Sequence, residues 1–517
     1  MANLTLYNIG IIAITCLGGF TYGFGFAVFV SSIGQPGFYA YFKLDPTSSY
    51  TASVLGAVNA LFGFGAALGA IVQGWTADSL GRKKAFSVAA VCSIIGGALT
   101  AGAVQIAMLI TVRLLQGFGL GMIICLVPLY ISEVAPAHIR GRLSGLTVLS
   151  FGIGYVLCPF ISIGTFHASN QELAWRLPLA LACVGPLALL VGLPFIPESP
   201  RYLAWIGQNA EAWAVIQRIH NDPSDPSNSF AHAEFTQIVR QVEHDKEQKA
   251  GYIQMFLKPS WRRRSLLVMF LTFASQSTGI LGITNFMVII LQTLGLEGDM
   301  PLLLIGTYGL FFVSLEIAVI DISKGIYSIV GTIAVVVALG IVDHVGRRTM
   351  LLCGYPAIAA VLLAEALLQW RYVGTTDKAG NAAALFFIFI YIICYQLVDS
   401  PSFIWAAEVF PTTIRAKGIG LTFFSYFVGS ITYTTPAALA FKNIKWGMYL
   451  LWMGLCIISA FIVYFFIPET ARLPMEEIGA LFGDEVVIHL TSDGHGILED
   501  KMEVEVVHIE NQGEKIV

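Results

Sequence analysis

Two stretches decide the fold: DSLGRKK at Asp78–Lys84 and DHVGRRT at Asp343–Thr349. Each sets an acid, two residues, a glycine and two cations between long apolar runs. Around them the 517-residue chain is 56% hydrophobic and only 12% charged, with a mean hydropathy of +0.74. Soluble domains carry about 25% charged residues, so the solvent implied here is lipid. A net charge of −4 gives no reason to expect a nucleic-acid partner. The eight cysteines sit in apolar stretches without CxxC or histidine-flanked spacing, and read as small core residues. The first 30 residues lack a basic leader and stay apolar too long for a cleaved signal, so the first span is expected to be retained.

A bilayer-crossing helix takes roughly 20 mainly apolar residues. That ruler places spans near 8–32, 53–77, 86–106, 109–132, 143–165 and 178–197, then near 265–292, 323–342, 350–370, 384–407, 417–440 and 447–467. The expected fold is an all-α membrane protein: twelve transmembrane helices in two pseudo-symmetric six-helix bundles, at 1–197 and 265–467. Residues 198–264 form a cytoplasmic linker with short helices, among them the amphipathic HAEFTQIVRQVEHDKEQK, and 468–517 a cytoplasmic tail. Lys and Arg gather in the loops after spans 2, 4, 8 and 10: Arg82, Lys83 and Lys84; Arg140 and Arg142; Arg347 and Arg348; Arg415 and Lys417. That bias puts both termini in the cytoplasm. Pro301–Ile320 is also apolar and long enough to cross, but a thirteenth span would carry the Arg347–Arg348 loop to the wrong side. Residues 308–324 are therefore expected to be surplus to the bundle, as a retained intron would supply.

Parallel repeats related by an axis along the membrane normal are a common construction of secondary transporters. Gly81 and Gly346 allow tight turns. The cations beside them can pair with acids on neighbouring helix ends, and Asp78 or Asp343 can accept from a helix N-terminus. Such pairs form when the inner ends close and break when they part. Two more phrase pairs keep the same register. PLYISEVAPAHIRGR (Pro128–Arg142) and AAEVFPTTIRAKG (Ala406–Gly418) each run Glu, two residues, Pro, then Arg four residues on. PESPR (Pro197–Arg201) and PETAR (Pro468–Arg472) end spans 6 and 12.

On these phrases the chain resembles the sugar porter family of the major facilitator superfamily, over roughly residues 10–480. FASQSTGILGITN (Phe273–Asn285) is most similar to fungal members of the hexose and lactose-permease type. The resemblance implies transport of a hexose or disaccharide by two bundles rocking about a midplane site. It implies a cytoplasmic charge latch of Arg82, Arg347, Glu133, Arg142, Glu198, Glu408, Arg415 and Glu469, although the last motif reads PETARL where the family writes Pro-Glu-Thr-Lys-Gly-Arg. Gln276 stands at the second of the paired glutamines that bind sugar hydroxyls, with Ser275 at the first. An amide both donates and accepts, as a hydroxyl does. Asn285, nine residues on, falls close to the same face if the helix is continuous. The substrate set is completed by Thr147, beside Val148 at the family's span-5 glutamine. It also takes in Trp405, two residues from the span-10 tryptophan place held by Phe403, and Tyr426 at the span-11 tryptophan. Leu281 replaces the span-7 asparagine.

Proton-coupled members carry an acid in span 1, but GGFTYGFGFAVF (Gly18–Phe29) puts Gly25 there. The acid's usual partner, Arg113, remains and is expected to find Glu133, backbone carbonyls or water. Facilitated uniport is the simpler reading; symport through Asp399 or Glu365, embedded in spans 10 and 9, is the alternative. No hydrolase triad, metal cluster or phosphate loop emerges, so neither enzyme activity nor a cofactor is expected. GFGLG (Gly117–Gly121) lies mid-membrane, where small residues allow close helix contact. A non-transporting sugar sensor, the rival class, would be expected to carry a long tail, whereas Leu473–Val517 is short and acidic. Drug or organic-acid export predicts a different span-5 phrase and lacks PESPR. The expected partners are a sugar and the lipid bilayer, with protons in the symport case, and the expected location is the plasma membrane.

Overall fold

In lipid every backbone polar group must be satisfied within its own segment, and long apolar runs answer with helices. The computed structural model describes residues 6–285 and 327–499, apart from short intervals within them such as 135–139, 220–230, 243–250, 373–376 and 472–477. The supposed surplus at 308–324 lies outside the described residues. Among the described residues ten helices are long and apolar enough to cross a membrane. They are α1 (Leu6–Ile33), α2 (Ser49–Leu80), α3 (Arg82–Ala101), α4 (Ile106–Val134), α5 (Arg140–Phe166), α6 (Gln171–Phe195), α7 (Pro259–Thr284), α9 (Arg347–Tyr372), α10 (Lys378–Val409) and α12 (Gly447–Phe466). Two more, α8 (Tyr327–Val345) and α11 (Arg415–Thr434), complete the twelve.

Helix packing repeats when six is added to the helix number. The contacts α1–α5, α2–α4 and α3–α6 recur as α7–α11, α8–α10 and α9–α12. The halves meet along α2–α11 and along its counterpart, α5–α8. Small residues let helices approach closely in lipid, where no hydrophobic force drives them together. A methyl on Gly65 or Gly69 of α2 would strike the Leu114 or Phe118 carbonyl of α4, and one on Gly117 or Gly121 the Phe62 or Ala66 carbonyl in return.

Three details depart from the sequence reading. First, α7 starts at Pro259, inside the stretch assigned to the linker. Proline suits the first helical position, and Trp261 and Arg264 are already buried. Second, α7 is continuous only to Gln276. Gly279 then turns at φ +89°, where a Cβ would enter the Trp452 ring, and the helix resumes at Ile280–Asn285. The nine residues from Gln276 to Asn285 therefore do not run along one continuous helix, and the Asn285 side chain is outside the described residues. Third, the tail holds two short antiparallel strands, Ile488–Leu490 and Ile497–Glu499. The linker carries helices Pro200–Trp205, Asn209–Ile219 and Tyr252–Leu257. Ala204, Ile216, Ala231, Ile238 and Val242 bury together there, in keeping with an amphipathic segment.

Candidate functional site

The two repeated phrases fold alike. Gly81 (φ +89°) and Gly346 (φ +94°) each end one helix and begin the next within a single residue, a conformation that favours glycine. The first amides of the following helix have no partner within it, and a carboxylate there also meets the positive end of the helix dipole. Glu198 accepts from the Arg82 and Lys83 amides at 3.0 and 3.2 Å. Glu469 accepts from the Arg347 and Arg348 amides at 2.9 and 3.0 Å, so the altered last motif keeps this arrangement. Arg82 forks onto Glu133 through Nε and Nη2 at 2.8 and 2.7 Å, and Arg347 Nη2 donates to Glu408 at 2.8 Å.

Each of these bonds lies inside one half, which corrects the expectation that they join the bundles. Among the described residues, an ion pair across the halves is Lys417 Nζ of α11 to Asp78 at 2.5 Å. Beside it Tyr252, from the linker, donates its hydroxyl to the Ile71 carbonyl of α2 at 2.9 Å. Burial pushes the Tyr252 phenol up, with Cys125 and Asp78 adding to the shift, so it remains a donor at neutral pH. Arg415 is buried at the start of α11, and the Arg142 side chain is outside the described residues.

Halfway along the helices, Gln276 is 1% exposed. Its Nε2 donates to Ser275 Oγ at 3.1 Å and to the Tyr395 hydroxyl at 3.4 Å, and Tyr395 donates to Asp399 Oδ1 at 2.6 Å. Gln276 Oε1 is buried and has no partner among the described residues. Asp399 is half-buried. The hydroxyls of Tyr22 and Tyr155 from the first half, and of Tyr355, Tyr395 and Tyr426 from the second, lie within its electrostatic reach. Rings continue across the seam: Tyr426 meets Phe403 and Phe427 at 5.6 and 5.3 Å, and Phe427 meets Tyr22 at 6.3 Å. Thr147 is buried on α5 with no partner for its hydroxyl among the described residues, one turn before Phe151, whose ring meets Tyr22 at 5.5 Å.

Trp405 does not join this group. Its indole donates to the Pro468 carbonyl at 3.1 Å and its ring faces Phe482 of the tail, while Phe403 takes the place beside Tyr426. Arg113 does not reach Glu133, which Arg82 occupies. It donates to Gln116 Oε1 at 2.9 Å and lies over the Phe62 and Phe29 rings at 4.2 and 4.8 Å, a cation–π sandwich. Glu365 accepts from Gln369 at 2.7 Å and lines a small apolar cavity within the second half, with Ile283, Val361, Leu362, Ile388, Tyr391 and Tyr449. Sequence reasoning missed Tyr395, although tyrosine four residues before an acid in an apolar helix places the two on one face. Among the described residues no cluster of His, Cys, Asp and Glu is set to hold a metal ion.

Residues 11–482 match the family described as Sugar (and other) transporter. The MFS-type transporter criB of Aspergillus cristatus is 31% identical over 476 residues, 92% of this chain and 93% of that protein. The low-affinity glucose transporter HXT3 of Saccharomyces cerevisiae is 27% identical, over 91% of this chain and 81% of its own length. Among solved structures, the E. coli proton:xylose symporter XylE bound to 6-bromo-6-deoxy-D-glucose aligns with a TM-score of 0.76 at 22% identity, covering 93% of this chain and 100% of that one. That likeness carries the fold, twelve helices in two six-helix halves. With the paired glycine turns, their buried Arg–Glu bonds and the polar seam between the halves, this chain is a multi-pass membrane protein that belongs to the Sugar (and other) transporter family.

Proposed function

We propose that the protein moves a hexose or disaccharide across the plasma membrane by alternating access, as a facilitator. The observation that carries this is Gln276, a buried amide at the seam whose carbonyl has no partner among the described residues. An unsatisfied buried carbonyl costs about 1–3 kcal/mol, which a sugar hydroxyl offsets by donating to it. Thr147 adds a hydroxyl from the other half that is unpartnered among the described residues, and Tyr426 and Phe403 offer rings to the apolar face of a sugar. Relatives named as glucose and galactose transporters support the substrate class. The latch side faces the cytoplasm together with both termini, by the bias of Lys and Arg in its loops. The halves are the moving bodies, joined by the linker, and the pairs Arg82–Glu133 and Arg347–Glu408 keep each rigid while Asp78–Lys417 opens and closes.

Uptake of labelled hexoses and disaccharides into transporter-deficient cells tests this, with saturable uptake expected. Binding without uptake would assign a sensor instead. Cytosolic acidification and inward current on adding sugar would assign symport to Asp399 or Glu365.

A further inference from the structure

A hexose is recognised by neutral donors and acceptors, yet the seam holds a carboxylate. Asp399 sits about 15 Å along α10 from its Val409 end, level with the middle of the helices around it. Among the described residues no Lys, Arg or His pairs with it. Arg113 is held by Gln116 between two phenylalanine rings, and Lys417 is at the latch with Asp78. Tyr395 engages Oδ1, and among the described residues nothing donates to Oδ2. A carboxylate left uncompensated in a low-dielectric interior costs several kcal/mol, which a cation arriving with the ligand would offset. The neighbouring side chains are poor in free N–H donors: Gln276 spends its amide N–H on Ser275 and Tyr395 and leaves a carbonyl, and Phe403 offers none. Rings line the seam beside the acid. Tyr395 holds Oδ1 and stacks on Tyr391, and Phe403, one helical turn on from Asp399, meets Tyr426, whose neighbour Phe427 meets Tyr22 of the first half. A proton would neutralise Asp399 without any such wall, whereas an organic cation is held by aromatic rings as well as by the charge.

The geometry points to Asp399 as the anionic part of a substrate subsite for a protonated amine, so that the chain carries an amino-substituted sugar in preference to its neutral counterpart. This rests on the sugar-transport reading above. A charge-assisted hydrogen bond contributes about 1.5–3 kcal/mol, roughly tenfold or more in affinity.

The test is competition and uptake with the full chain in proteoliposomes at pH 7, using glucosamine, N-acetylglucosamine and glucose. N-acetylglucosamine keeps the nitrogen and removes the charge. Glucosamine is expected to compete at about tenfold lower concentration than either neutral sugar. Asp399→Asn should bring that ratio close to one, and Asp399→Glu, which keeps the charge, should retain most of it. Glucosamine no better than N-acetylglucosamine, or a preference that survives Asp399→Asn, overturns the subsite. Equal competition by all three sugars, with proton-driven accumulation lost in Asp399→Asn, overturns it in favour of a coupling acid. Failure to move any of the three sugars sinks the sugar-transport reading itself, and the subsite falls with it.

Discussion

In the first half Arg82 forks onto Glu133 with both side chains almost sealed from solvent, 9% and 8% exposed. In the second, Arg347 Nη2 donates to Glu408, whose side chain is 21% exposed and accepts from the Thr470 hydroxyl with its other oxygen. The same phrase has thus produced a tight brace and a looser one. Halfway along the helices the contrast runs the other way. The first half brings a cation, Arg113, held by two rings and one amide oxygen, while the second brings the connected chain Gln276–Tyr395–Asp399. The difference teaches a division of labour. Turn architecture was copied into both halves, while polar chemistry gathered on α7 and α10 and the first half supplies mainly rings to cover it.

The largest test of that comparison is Glu133→Gln, which leaves Arg82 buried without its carboxylate. Breaking a buried pair costs roughly 3–5 kcal/mol, so a large drop in melting temperature in detergent is expected. Glu408→Gln should cost clearly less, and equal losses would erase the distinction between the braces. Gly81→Ala and Gly346→Ala should each cost about 1–3 kcal/mol from backbone strain alone. Their Cβ atoms would also meet Glu198 and Glu469, so here the halves should respond alike, and a neutral result in one would break the symmetry. Gln276→Leu should weaken sugar affinity about fivefold, the worth of one hydrogen bond, with Thr147→Ala weaker still in effect. A larger loss from Thr147→Ala would move recognition to the first half. Lys417→Gln removes a pair whose acid side chain is 36% exposed. Exposed pairs contribute about 1 kcal/mol or less, so spin-label distances across α2 and α11 should show only a modest shift toward the latch-open form. Least of all, Trp405→Phe should lower melting slightly through its lost bond to Pro468 and leave sugar affinity unchanged. A changed affinity would return Trp405 to the site.

Much of this was legible because it is written twice. Three phrase pairs put Arg82 and Arg347, Glu133 and Glu408, and Glu198 and Glu469 in matching register, and hydropathy located the helices that carry them. Hydropathy is blind to what happens inside an apolar run. The turn at Ser277–Gly279 changes no residue's greasiness, so Asn285 was aligned with Gln276 on a helix that does not run through. Which half each bond closes was equally hidden, since spacing along a chain says nothing of the partner's distance. Trp405 could have been placed correctly: two residues rotate a helical side chain about 200°, so with Phe403 at the seam Trp405 had to face away. Tyr395 and Asp399, four apart on α10, were there to be read as a pair.

The placement of the ion pairs has an energetic consequence for direction of flow. The deeply buried ones, which are costly to break, stay intact whichever way the halves tilt. Among the described residues, what would part on the latch side includes Asp78–Lys417, the Tyr252 bond and the adjoining helix packing, each bond contributing about 1 kcal/mol. In the alternating-access reading proposed above, these bonds hold the latch-closed orientation only weakly. On the facilitator reading proposed above, such a carrier would have little built-in preference between import and export, and net movement would follow whichever compartment holds more substrate.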